Sequence, residues 1–164
     1  MRQKWDRVLP LDELLFDRWE KAEYLHFGKG SSIYHNSYVY GKPKVGKYVW
    51  VGPFVILDAG GGLTIGDYVS ISSGVHIYTH DSVKWALSGG VEPYESGAVD
   101  IGDCCHIGAN SVVARGVKIG HHSVVGAASF VRTSVEPYSI VSGVPAQMIG
   151  TVTIVNGRVQ YAFK

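Results

Sequence analysis

Residues 101–136 read IGDCCH IGANSV VARGVK IGHHSV VGAASF VRTSVE, six consecutive units of six residues. A branched aliphatic opens every unit: Ile101, Ile107, Val113, Ile119, Val125 and Val131. The second position is Gly in four of them, Gly102, Gly108, Gly120 and Gly126. The fifth is small or β-branched in all six: Cys105, Ser111, Val117, Ser123, Ser129 and Val135. A helix repeats its apolar face near 3.6 residues and a strand near 2, so neither accounts for a period of six. A coil of short parallel strands and tight turns does. Each aliphatic then stacks on its equivalent in the next turn, and Gly is expected where the backbone bends.

The same register runs upstream through Ile33, Val39, Val45, Val51 and Leu57, with Gly46 and Gly52 following two of them. Leu63 and Thr64 shift the phase by two residues, and it resumes at Ile65, Ile71 and Ile77. The phase break contains Gly60, Gly61 and Gly62 beside Asp58. It reads either as a bulged corner or as a place where a ligand approaches the backbone closely. Between His80 and Val99 the register is lost, so an excursion loop rich in Gly, Ser and aromatics leaves the coil there. Loops on a rigid scaffold commonly carry binding and catalytic groups.

The remaining features place the chain in a single domain. Its 164 residues include 21 Gly, 46% are hydrophobic and 18% charged, which suits a turn-rich β protein with a continuous aliphatic core. A net charge of +1 gives no sign of a nucleic-acid or anionic-membrane partner. Neither a signal peptide nor a membrane-inserted span is expected from the sequence. The only cysteines, Cys104 and Cys105, are neighbours poorly placed for an ordinary disulfide, so a reduced, cytoplasmic protein is expected. Leu11, Leu14, Leu15, Trp19, Ala22 and Leu25 fall at helical spacing. They predict one amphipathic helix over residues 11–25, with Asp12 and Glu13 in its first turn and an Asp17–Lys21 pair, capping the first turn of the coil. After SGVPAQMIG (142–150) the register ends, and Asn156-Gly157 between apolar-rich arms predicts a β-hairpin.

Taken together, the repeats, the Thr79-His80-Asp81 interruption and the succession IGAN, VVARGV, VVGAASFV and VPAQMIG resemble the hexapeptide-repeat acyltransferases. The similarity covers residues 33–150 and is nearest to the maltose and galactoside O-acetyltransferases and to those that acetylate cell-surface polysaccharides. It implies an all-β solenoid, a left-handed parallel β-helix with three units per turn. Applied to the fourteen units found here, that gives between four and five turns. On this reading residues 1–32 form the helical cap, 33–150 the β-helix with loop 81–99, and 151–164 the hairpin.

The resemblance also implies a homotrimer with active sites between subunits, acetyl-coenzyme A as acyl donor, no metal, and a sugar or sugar-containing acceptor. The family's catalytic His falls on His80, whose imidazole would take the proton of an attacking sugar hydroxyl and return it to the leaving thiolate. A backbone N–H of the loop or of an adjacent coil would meet the developing oxyanion. Asp58, Asp81 or Glu95 would orient the imidazole, and Tyr78, Trp85 and Tyr94 near the loop suit either stacking on a sugar or burial between subunits. Coenzyme positions carry over to Gly108, Ala109, Gly126 and Ala127, with Arg132 and Thr133 near the phosphates. Gln147 stands where the family often has Lys or Arg.

Three alternatives remain open at the level of sequence. The acceptor could be an amino sugar, acetylated on nitrogen. The fold also serves zinc lyases of the carbonic anhydrase type, for which His76 with His80, or His121 with His122, would be candidate ligands. A catalytically silent assembly module is the third. In the absence of such roles, His76, His106, His121 and His122 read as solvated turn residues.

Overall fold

The computed structural model describes residues 9–15 and 17–164. The expectations for residues 1–8, for Phe16 and for the Asp12 side chain lie outside the described residues. The chain winds into a left-handed parallel β-helix of three faces. The first face carries strands Ser32–Ile33, Trp50–Val51, Ser70–Ile71, His106–Ile107, Val124–Val125 and Ser139–Gly143. The second carries Tyr38–Tyr40, Ile56–Asp58, His76–Ile77, Val112–Val113 and Phe130–Val131. Lys44–Val45, Leu63–Ile65, Val99–Ile101 and Lys118–Ile119 form the third, extended by a bridge from Ile119 to Val135. The first face is crossed six times, one crossing more than the fourteen repeat units supply, because Val135, inside the last unit counted in sequence, already takes the next place on the third face and Val141 follows it on the first.

Register follows the aliphatic column. Ile33 pairs with Val51, Val51 with Ile71, Ile71 with Ile107, Ile107 with Val125 and Val125 with Val141. The repeat-opening aliphatics form one continuous core, Val39 in the first turn being the one that is only partly covered. Where the fifth position is Ser, the hydroxyl has a hydrogen-bonding reason. Ser111 Oγ donates to Gly126 O at 2.8 Å and accepts from Ser129 N at 3.2 Å, tying two turns together, and Ser31 and Ser37 do the same earlier in the coil. Such buried hydroxyls cost little because both their donor and acceptor needs are met.

The glycines at the second position do not serve as bends, contrary to expectation. A Cβ on Gly108 would sit 2.5 Å from Ala127 N, so the next turn leaves no room for a side chain. The left-handed backbone falls two residues later, on Cys104, Asn110, Gly116, His122 and Ala128.

The expected single helix is two, Leu11–Leu15 and Arg18–Tyr24. Asp17 lies between them in extended conformation and caps the second helix, accepting from Trp19 N at 2.7 Å and Glu20 N at 3.4 Å. Lys21 therefore does not pair with Asp17. Its ammonium donates to the carbonyls of Tyr34, His35 and Ser37. Glu13 accepts from His35 N and Asn36 N. Leu11, Leu14, Leu15 and Trp19 are exposed and only Ala22 of the predicted stripe is buried, so polar clamps rather than an apolar face dock this segment.

At the other end, the chain reverses after Gly143. Ala146–Val155 pairs antiparallel with Ser139–Gly143 and then, across Asn156-Gly157, with Arg158–Phe163. The hairpin is present as expected, but its first strand begins at Ala146 rather than at 151.

Candidate functional site

The sequence irregularities collect at the corner between the second and third faces. Strand Ile56–Asp58 ends in Asp58, which is 2% exposed because the lengthened corner through Gly60–Gly62 folds over it. Gly60 N donates to Asp58 Oδ1 at 2.9 Å, while Thr79 N and Thr79 Oγ1 donate to Oδ2 at 2.9 and 3.1 Å. Gly61 N donates in turn to Thr79 Oγ1 at 2.7 Å, and a Cβ there would lie 2.3 Å from Thr79 O. The triple glycine is thus a bulged corner, and what approaches its backbone is the protein's own Thr79.

The remaining partner of Asp58 is His80, whose Nδ1 lies 2.6 Å from Oδ2. Burial pulls the Asp58 carboxyl upward, but the Gly60 and Thr79 amides, the imidazole and the Thr79 hydroxyl outweigh it and hold the group below the usual carboxylate value. An ionised Asp58 accepts only, so Nδ1 carries the proton and Nε2 is left as the acceptor. The His80 side chain is 44% exposed, which leaves that second nitrogen accessible. Tyr94 stacks on the imidazole with centroids 6.2 Å apart and planes at 11°, and Trp85 meets Tyr94 edge-on at 5.6 Å.

These aromatics belong to the excursion, which is more ordered than a loop. His80–Asp81 pairs antiparallel with Glu95–Ser96, a short helix Val83–Leu87 lies between, and the chain rejoins the coil at Val99. Asp81 and Glu95 do not orient the imidazole. Arg115, from the next turn, takes both, with its Nε on Asp81 and its Nη2 2.8 Å from Glu95 Oε2. Lys84 takes the other Glu95 oxygen at 3.1 Å. Tyr78 places its hydroxyl 3.3 Å from His76 Nδ1 rather than against His80.

The expected coenzyme positions lie elsewhere. Gly108, Ala109, Gly126 and Ala127 stack at the corner before the second face, where Ala128 N donates to Ala109 O at 2.8 Å. Arg132 and Thr133 follow the second face, two turns beyond the His80 corner. Thr133 and Gln147 meet at the open end of the coil, lining a cavity of ≈ 220 Å³ with Val131, Val135, Val141 and Ala146. The structure therefore joins Asp58, His80, Trp85 and Tyr94 into one site and leaves the two coenzyme groups on opposite edges of the second face.

His76, His121 and His122 have local partners. His121 and His122 face each other with Nδ1 atoms 2.9 Å apart, and His122 stacks on Tyr138. Among the described residues, no group of three or more His, Cys, Asp or Glu is placed to hold a metal ion. Sequence reasoning missed the roles of Thr79 and Arg115. Thr79 could have been suspected from its place beside His80. Arg115 sits in an ordinary repeat unit and gave no signal.

Residues 98–133 match the bacterial transferase hexapeptide family (six repeats). The chain is 37% identical over 105 residues to a chloramphenicol acetyltransferase of Klebsiella aerogenes, covering 53% of this chain and 50% of that protein. It is 32% identical over 109 residues to the dTDP-4-amino-4,6-dideoxy-D-glucose acyltransferase of Escherichia coli, covering 62% and 57%. The chain thus spans about half the length of these curated relatives. Among solved structures, the N-acyltransferase AntD of Bacillus cereus, in complex with dTDP and 3-hydroxybutyryl-CoA, is similar with a TM-score of 0.68 and 25% identity, over 83% of this chain and 90% of that one. A hexapeptide-repeat acetyltransferase of Vibrio cholerae complexed with acetyl-coenzyme A is similar at 0.64 and 29%, over 87% and 79%. In repeat, in fold and in relatives alike, the chain is similar to the hexapeptide-repeat acyltransferases.

Proposed function

We propose that the chain is an acetyl-coenzyme A-dependent acyltransferase that moves an acetyl group to a hydroxyl of a sugar-containing acceptor, with His80 as general base. The observation that carries this reading is the His80–Asp58 contact of 2.6 Å, made by a buried carboxylate to one imidazole nitrogen while the other stays accessible. His80 Nε2 takes the acceptor proton as the oxygen bonds to the thioester carbonyl carbon. The C–S bond breaks, and the same proton passes to the departing sulfur, so that an ester and free coenzyme leave. Asp58 fixes the tautomer and balances the imidazolium formed in between. Tyr94 and Trp85 offer apolar faces to a sugar ring beside that nitrogen.

The residues present suit the coenzyme in part. Ala109 and Ala127 place only methyl groups at their corner, and Arg132 is exposed with no ion pair among the described residues, available to a phosphate. Gln147 brings no charge. Since this corner and His80 flank the second face from opposite sides, a neighbouring subunit of a homotrimer would bring this corner of one chain to another's imidazole. The coenzyme complexes of the Bacillus and Vibrio proteins support this donor.

A second reading, transfer to the nitrogen of a nucleotide-linked amino sugar, is favoured by the names of the Escherichia coli relative and AntD. A cytoplasmic location is proposed from the free thiols of Cys104 and Cys105. Among the described residues no helix is long and apolar enough to cross a membrane.

Thiol release from acetyl-coenzyme A, measured against matched panels of sugars, nucleotide sugars and amino sugars, tests both readings. Turnover with hydroxyl acceptors that depends on His80 supports the first. Turnover confined to amines moves the assignment to the second, and no turnover with any acceptor removes both.

A further inference from the structure

We infer that Arg115 is a positioning residue that holds the excursion hairpin closed, setting the aromatic wall over His80 without touching either substrate. The wall matters only if the acyltransferase reading holds, whereas the closure does not depend on it. In the hairpin register Glu95 stands directly opposite Asp81, and Ser96 opposite His80. Like charges on directly paired residues oppose pairing, so this register needs a cation between them. Arg115 supplies it from the coil, and its planar guanidinium reaches the two carboxylates at once through two different nitrogens, Nε and Nη2.

Its placement is set by backbone. Gly116 N donates to Gly97 O at 3.1 Å where the excursion rejoins the coil, and a Cβ on Gly97 would stand 3.0 Å from Gly116 N. That approach brings the adjoining Arg115 to the hairpin mouth. The two strands then have different anchors. His80 is fixed by Asp58 and Thr79 whatever Arg115 does. Tyr94, next to Glu95, keeps its stack on His80 only while the second strand is held. The charged groups facing Asp81 are Arg115, Glu95 and His80, and Lys84 faces Glu95.

The experiment compares wild type, Arg115→Lys, Arg115→Met and the triple variant Arg115→Met, Asp81→Asn, Glu95→Gln in the full-length chain. Hydrogen exchange of residues 83–95 should quicken by about tenfold in Arg115→Met, lie between in Arg115→Lys, and recover in the triple variant, where no carboxylates oppose each other. Acidification should act in opposite directions. In wild type the Arg115 hydrogen bond holds the Asp81 carboxyl below its usual value, so closure is supported above that value and weakened as pH falls through the native one. In Arg115→Met, protonating either carboxylate removes the repulsion, so the protection of residues 83–95, taken relative to the intrinsic exchange rate at each pH, should rise as pH falls, whereas in wild type it should fall. With a working acceptor, Arg115→Met should raise the acceptor KM about tenfold while kcat and the thioester KM hold, the signature of lost binding rather than lost chemistry. Unchanged exchange in Arg115→Met, or failure of the triple variant to recover, would overturn the inference. So would a fall in kcat at constant acceptor KM. If no acceptor is turned over at all, the exchange and pH arms still decide the role of Arg115, and only the proposed function fails.

Discussion

The two corners that flank the second face are built from the same repeat and behave differently. At the first, each turn copies the one before. Gly74 N donates to Pro53 O, Asn110 N to Ser73 O and Ala128 N to Ala109 O, all at 2.8 to 3.0 Å. Gly108 is pressed against the backbone of the next turn. At the second, the connection grows from Gly41–Pro43 to Ala59–Gly62, opens into the excursion between Ile77 and Val99, and shrinks again at Ala114–Val117. The regular corner fixes spacing, while the irregular one has room for a buried carboxylate, an accessible imidazole and an ion-paired hairpin. In a stack where each turn contacts only its neighbours, chemistry can be added at one corner without disturbing the others.

Substitutions can separate the two roles. The largest effect is expected at the irregular corner. His80→Ala should lower turnover by roughly 10²–10⁴ with the melting temperature nearly unchanged, because Asp58 keeps its three protein donors from Gly60 and Thr79. His76→Ala, one strand position before the interruption, should retain activity. The opposite pattern in steady-state kinetics would place the base on the wrong side of the turn.

In the regular stack, Ile107→Ala should cost about 2–5 kcal/mol of unfolding free energy in denaturant titration, by leaving a cavity under a fully buried column. The next pair uses one substitution at both corners. Gly108→Ala and Gly61→Ala each force a Cβ against backbone, at 2.5 Å from Ala127 N and 2.3 Å from Thr79 O, and each should destabilise by about 1–3 kcal/mol. Only Gly61→Ala should also depress kcat, since it displaces the segment that carries His80. Equal kinetic losses from both would erase the distinction between the corners.

The smallest effect concerns acid. The Asp58 carboxyl is held below its usual 3.8, so an unfolded chain binds that proton first. Its contribution to stability is complete above that value and erodes as pH falls through the lower native one. Asp58→Asn should therefore flatten the acid limb of the stability curve, measured by thermal melts across that range, and a limb of unaltered slope would contradict the assignment.

The period, the interior columns and the place of the excursion could all be read from sequence, because covalent spacing alone dictates which aliphatics stack. The choice among Asp58, Asp81 and Glu95 could not. It depends on Arg115 claiming two of the three, and Arg115 reaches them from a different turn. The second-position glycines illustrate the same limit, since a close approach by the following turn leaves the same letter in the sequence as a bend. The break at Asp17 was available as an N-cap signal, but the apolar spacing running across it suggested one continuous helix.

The antiparallel reversal after Gly143 also sets the length of the solenoid. A stack of parallel turns offers an open edge at each end, and another copy could extend it end to end into a fibre. At the start, Arg18–Tyr24 lies over the first turn with Lys21 engaging three of its carbonyls. At the finish, the first face switches direction and ends in Arg158–Phe163, a strand that offers no parallel continuation for a second coil. On the first face, therefore, neither end presents a bare parallel strand on which a second coil could continue the stack.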